Sequence, residues 1–223
     1  MGKQVGLTSG DGHGFQAYVA EPAGKPRFGL VVVQEIFGVN AHIRGVCDAY
    51  AADGVFAVAP ALFDRVERGV ELGYDPDSIA AGRALRGKLS WEAALEDIRA
   101  AAYIAATGGK VGVVGYCWGG SLTWLTACRL ADVVDAAVAY YGGQIHDFRD
   151  EGAKVPAMLH FGERDAMIPP EHVAAIRAAN PDVPVHTYPA GHGFNCEMRG
   201  DYHPQGAALA RERTLAFLDE KLA

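Results

Sequence analysis

The segment GYCWGG at residues 115–120 sets a thiol between glycines, directly after the apolar run KVGVV at 110–114. Gly115 and Gly119 bracket Cys117 in the pattern Gly-x-nucleophile-x-Gly, in which a strand turns sharply into a helix. Glycine suits such a turn because a side chain there would collide with neighbouring backbone. A thiol so placed meets the exposed N–H groups of a helix N-terminus, whose partial positive charge favours the thiolate. Glycine-rich turns also bind phosphates, but GYCWGG lacks the Lys-Ser/Thr ending of a P-loop, and GKVGVVG does not fit Gly-x-Gly-x-x-Gly. Taken alone, Cys117 is equally well a small buried hydrophobe.

Two later segments shift that balance. HFGERDAMIPP at 160–170 ends an apolar strand in Gly162 and places Asp165 before a proline pair. Alone, such an aspartate is a turn or helix-capping acid. PAGHGFN at 189–195 puts His192 in a glycine-flanked loop between the last apolar strand and a terminal helix. His13, His42, His146, His172, His186 and His203 read more simply as surface or turn residues, and His160 lies within a strand. The order nucleophile, acid, histidine is that of the α/β-hydrolases and differs from the orders of chymotrypsin and subtilisin. Cys117, Asp165 and His192 are therefore the candidate catalytic set.

A fourth feature, VVVQEIFGVN at 31–40, ends an apolar strand in Glu35, a carboxylate costly to bury unpaired. In this fold the same loop supplies one oxyanion-hole donor, so the backbone N–H groups of Ile36 and Trp118 are the candidate pair.

Four chemical groups after four strands call for a sheet that gathers its strand ends. Apolar runs predict strands at 15–20, 28–34, 55–59, 111–116, 136–141, 157–161 and 185–188, with helices near 41–53, 91–107, 121–131, 171–179 and 207–222. Near-continuous apolar strands such as LVVV at 30–33 imply burial on both faces, and hence a mostly parallel central sheet with helices on both sides. The 223 residues, without repeat or linker, fit one α/β domain over 1–223 that buries roughly 70% of its unfolded surface.

Composition narrows the partners. A formal charge of -7 argues against nucleic acid or an anionic membrane surface. The uncharged stretch 111–128 contains too many glycines and hydroxyls for a membrane span. MGKQVGLTSG lacks the apolar core of a signal peptide, so a cytoplasmic location is the default expectation. Cys47, Cys117, Cys128 and Cys196 show neither a disulfide framework nor metal-ligand spacing, so no metal is expected.

Together VVVQEIFGVN, HIRGVCDAYAADGVFAVAPALFDR, KVGVVGYCWGG, LHFGERDAMIP, AGHGF and RERTLAFL resemble the dienelactone hydrolases (carboxymethylenebutenolidases) of the α/β-hydrolase superfamily. The resemblance implies the α/β-hydrolase fold and a cysteine-dependent hydrolase of lactone or carboxylic ester bonds. It casts Cys117 as nucleophile, His192 as base and Asp165 as its orienting acid. Glu35 becomes a carboxylate that contacts the thiol and takes its proton when substrate binds. The expected course runs through a thioester acyl-enzyme on a small-molecule lactone or ester, without cofactor, in a monomer or small homo-oligomer.

The chain also departs from that pattern. Dienelactone-specific members carry an arginine four residues after the catalytic histidine, where this chain has Cys196. Arg199, or Arg83 and Arg86 in the preceding helical segment, are candidates to replace it in holding a substrate carboxylate. Ala61 stands where many relatives have aspartate. Phe37, Tyr141 and Phe194 are candidate pocket residues, with Trp118 and Tyr140 beside them, although core packing accounts for aromatics there equally well.

Three alternatives remain. One is a general short-chain carboxylesterase not specific for dienelactone. A second is a glutamine amidotransferase-like cysteine enzyme, disfavoured because Asp165 and His192 follow separate strands. The third is a non-catalytic binding protein on a hydrolase scaffold, which is expected to have lost one of four positions that are all filled here.

Overall fold

The computed structural model describes residues 2–222 and resolves the apolar periodicity into eight strands and six helices. The strands are β1 (Lys3–Thr8), β2 (Gly14–Ala20), β3 (Gly29–Val33), β4 (Phe56–Pro60), β5 (Val111–Tyr116), β6 (Ala136–Tyr140), β7 (Ala157–Gly162) and β8 (Val185–Tyr188). The helices are α1 (Ala41–Ala52), α2 (Pro76–Arg86), α3 (Trp91–Ala105), α4 (Trp118–Arg129), α5 (Pro170–Ala179) and α6 (Pro204–Leu222). One sheet runs β1-β2-β4-β3-β5-β6-β7-β8. Only β2 pairs antiparallel, with β1 and with β4; all later pairings are parallel.

Every residue of β3, β5, β6 and β7 is buried. Because successive side chains point to opposite faces, both faces of the sheet centre must be covered. Gly112 and Gly115, three positions apart on β5, therefore look opposite ways. A Cβ at Gly112 would meet Leu218 and Leu222 of α6, and one at Gly115 would meet Gly119 and Thr123 of α4. Arg211 of α6 pairs with Asp53 at the end of α1, so α1 shares the α6 side, while α3 packs on α4 across the sheet. No helix among the described residues is long and apolar enough to cross a membrane.

All seven expected strands are present, with ends displaced by at most one residue. The expected helix 121–131 begins earlier, at Trp118, directly after the thiol. Strand β6 stops at Tyr140, because Tyr141 turns into positive φ (37°). The polar edge strand β1 was not expected from the sequence, and α2 was expected only as a helical segment holding Arg83 and Arg86, without bounds.

On the α3 side the frame is tied by one buried ion pair. Arg65, in the short 3-10 turn Leu62–Arg65, donates Nε and Nη2 to the two Asp97 carboxylate oxygens of α3, each at 2.8 Å. Its Nη1 reaches Asp11 at 2.7 Å and Nη2 also reaches Ser9 Oγ at 3.1 Å.

Candidate active site

Cys117 occupies the N-cap position of α4 with φ 56° and ψ -119°, one of two non-glycine residues at positive φ among those described. Such a conformation costs about 1–3 kcal/mol and persists only where its surroundings enforce it. They do: Cys117 N–H donates to the Tyr140 carbonyl at 3.0 Å, and the Cys117 carbonyl accepts from Ser121 N–H at 3.2 Å. A Cβ at Gly115 would lie 2.1 Å from the Gly119 carbonyl, so the strand and helix can approach this closely only through glycine. The turn leaves Cys117 partly exposed at the carboxyl end of β5.

His192 stands between Cys117 and Asp165. Its Nε2 is 3.1 Å from Cys117 Sγ and its Nδ1 is 2.7 Å from Asp165 Oδ2. The other Asp165 oxygen accepts from Met167 N–H at 2.8 Å, which fixes the carboxylate. Burial pushes the His192 imidazole toward neutrality, but the Cys117 sulfur and the Asp165 carboxylate outweigh it and raise the group to about 10. Neither the Ile36 nor the Trp118 N–H is engaged in a turn, loop or cap bond. Trp118 sits in the first turn of α4, where N–H groups lack intrahelical partners, and its ring stacks on Phe63 at 5.6 Å.

Glu35 is buried at 1% exposure at the end of β3. Among the described residues its carboxylate accepts one hydrogen bond, from Arg199 Nη1 to Oε1 at 3.0 Å, while Oε2 has no partner. The expected contact between Glu35 and the Cys117 thiol is absent from the hydrogen bonds of the described residues; the thiol faces His192 instead. Arg199 is held by its surroundings as well as by Glu35. Its guanidinium lies 5.7 Å from the Phe37 ring centroid and 6.0 Å from that of Tyr74. It also packs on the His192 loop, where a Cβ at Gly193 would fall 2.6 Å from it.

Tyr141 and Phe194 are both fully buried, in contact with each other at 5.4 Å, and Tyr141 meets the His192 ring edge-on at 5.2 Å. Phe194 thus packs as core beneath the site. Arg83 is exposed on α2, next to Gly82, which rests against the Ile36 carbonyl. Arg86 instead lies over the Trp91 ring at 4.9 Å.

Two residues near Glu35 escaped the sequence reading. Tyr74 joins Phe37 (4.6 Å, edge-on) and accepts a hydrogen bond from Asn40 at 3.1 Å. His42, expected at the surface, is 2% exposed and its Nδ1 lies 3.0 Å from Glu197 Oε2. The correction has a plain cause: His42 stands in the first turn of α1, and its partner follows it by most of the chain. Glu35, His42 and Cys196 each offer one ligand atom within 4.8 Å of the others, the one grouping among the described residues able to take a metal ion. Burial, then the Glu35 charge, pushes the Cys196 thiol up to about 11.

The chain is similar to known proteins along most of its length. A sequence model described as "Dienelactone hydrolase family" matches residues 15–222. The carboxymethylenebutenolidase of Pseudomonas putida is 37% identical over 225 residues, covering 96% of this chain and 94% of that protein. A crystal structure of a Klebsiella pneumoniae protein, provisionally named a dienelactone hydrolase, superposes with a TM-score of 0.82 at 32% identity, covering 96% of this chain and 98% of that one. A dienelactone hydrolase-like promiscuous phosphotriesterase from metagenomic libraries shares the fold alone, with a TM-score of 0.80 at 20% identity over 100% of this chain and 99% of that one. The architecture is that of the α/β-hydrolases.

Proposed function

The chain belongs to the dienelactone hydrolase family, and on that premise we propose that it hydrolyses lactone or carboxylic ester bonds with Cys117 as nucleophile. The observation that carries the reading is the unbroken line Cys117 Sγ, His192, Asp165, at 3.1 and 2.7 Å, on a strained turn at a helix N-terminus.

Cys117 gives its proton to His192 Nε2, the base in contact with it, and Asp165 holds the resulting imidazolium. The sulfur attacks the acyl carbon, and the Ile36 and Trp118 N–H groups receive the oxyanion. An oxyanion donor of this kind typically contributes ~3 kcal/mol to the transition state. As the C–O bond breaks, His192 returns the proton to the leaving oxygen, which in a lactone stays attached to the acyl group. His192 then deprotonates a water that attacks the thioester and regenerates Cys117.

Glu35 acts here through Arg199 rather than as the first proton acceptor. Arg199 has donors left over after its one bond to Glu35, which suits it to a substrate carboxylate in place of the arginine missing at Cys196. Arg83 and Phe37 complete the proposed substrate contacts. The lack of arginine at 196 favours a second reading, a general short-chain carboxylesterase.

The test is turnover of an activated aryl ester, followed by neutral and carboxylate-bearing lactones. Cys117→Ala is expected to stay folded and lose hydrolysis, and the native protein quenched during turnover is expected to carry an acyl group on Cys117. Full activity in Cys117→Ala would overturn the mechanism. Equal rates on charged and neutral lactones would decide for the general esterase.

A further inference from the structure

The grouping of Glu35, His42 and Cys196 is used only in part by the proposed chemistry. All three side chains are buried, at 1%, 2% and 0% exposure. Two of them carry polar atoms without a partner, Glu35 Oε2 and His42 Nε2. The opposite atom of each is occupied. His42 Nδ1 lies 3.0 Å from Glu197 Oε2, which makes Nδ1 the protonated nitrogen and leaves a lone pair on Nε2. A carboxylate supporting the far nitrogen is the usual arrangement behind a metal-ligating imidazole. Arg199 takes Glu35 Oε1, which leaves Oε2 for a single bond to a ligand.

We propose that Glu35 Oε2, His42 Nε2 and Cys196 Sγ form a binding site for a borderline-soft divalent cation, Zn²⁺ foremost, with a fourth coordination position open. The donor set decides the class of ion. Thiolate with imidazole and carboxylate matches Zn²⁺, whereas Mg²⁺ and Ca²⁺ require oxygen ligands. Ligand atoms within 4.8 Å of one another need only small side-chain shifts to meet a tetrahedral ion at bond lengths of about 2.0–2.3 Å. On binding, the Cys196 proton passes to solvent and a sulfur–metal bond forms. The ion and Arg199 then balance the formal charges of Glu35, Glu197 and the Cys196 thiolate. A cavity of about 360 Å³, lined in part by His42, Glu197 and Asn195, borders the grouping on its His42 side.

The competing location for a thiophilic ion is the Cys117–His192 pair, and Co²⁺ distinguishes the two because a thiolate ligand gives it a near-ultraviolet charge-transfer band. The full chain is titrated with Co²⁺, in parallel with Cys117→Ser, Cys196→Ser and His42→Gln. The band is expected at one equivalent in the native protein and in Cys117→Ser, and lost in Cys196→Ser and His42→Gln. Glu197→Gln is expected to weaken Co²⁺ binding by roughly 10–100-fold, and this variant decides the matter if Cys196→Ser does not fold. A native protein without the band overturns the proposal. So does a band that disappears in Cys117→Ser and survives in Cys196→Ser.

Discussion

Arg65 closes on buried Asp97 with two hydrogen bonds of 2.8 Å and satisfies Asp11 and Ser9 with its remaining donors. Arg199 gives buried Glu35 one hydrogen bond of 3.0 Å and leaves Oε2 with none. Both carboxylates are out of water, at 0% and 1% side-chain exposure, so solvent does not explain the difference. A complete buried network rigidifies a fold, and an incomplete one is costly. Arg65–Asp97 ties the turn after β4 to α3 and makes no hydrogen bond with Cys117, Asp165, His192 or Glu35. Arg199–Glu35 borders Phe37, Tyr74 and the His192 loop. Of these two pairs, only Arg199–Glu35 keeps a carboxylate oxygen without a partner.

The contrast can be broken most directly at the site itself. Cys117→Ala is expected to reduce ester turnover by about 10⁴-fold or more while urea unfolding keeps its midpoint. Asp97→Ala should do the reverse, lowering unfolding free energy by about 3 kcal/mol because the partly buried Arg65 loses its main partner. Activity per folded molecule should persist, and a loss of activity at native stability would show that the frame pair belongs to the site.

The same conservative change at both arginines sharpens the point. Arg65→Lys discards a two-pronged contact and is expected to cost about 1–3 kcal/mol in denaturant unfolding. Arg199→Lys keeps a cation beside Glu35, so its expected effect is kinetic, a KM roughly tenfold higher for carboxylate-bearing lactones with neutral esters unchanged. The last comparison is in pH. His192 is raised from 6.5 to about 10 in the folded protein, so the stability its charged form contributes is complete below pH 6.5 and is lost as pH rises through about 10. In Cys117→Ala one cause of that elevation is gone. NMR of the His192 ring should show it titrating lower, and an unshifted titration would show that the sulfur does not influence the imidazole.

What the sequence made legible was local. The elbow at Cys117 is written in adjacent residues, and the order of Cys117, Asp165 and His192 follows from strand succession, so the line they form was foreseeable. Helix α2 was legible only as a helical segment without bounds, because only Gly82 and Leu85 of it are buried and it offers little apolar stripe to read. Strand β1 hid for a related reason: KQVGLT lies at the sheet edge and no residue of it is fully buried. Glu35 was conspicuous as a carboxylate ending an apolar strand, but its partner was not deducible, since Arg199 joins it across 164 positions of chain. His42 and Glu197, 155 positions apart, were invisible on the same ground. Long-range pairs of polar side chains leave no periodic trace.

The positive φ angles at Cys117 and Tyr141 fall at the ends of two neighbouring strands, just past the paired residues Tyr116 and Tyr140. Glycine would adopt either angle without strain. A chain shaped by durability alone would therefore drift toward glycine at 117, gaining stability and losing the sulfur. On the proposed function, the thiol at this turn sets persistence against reactivity and settles this one position in favour of reactivity.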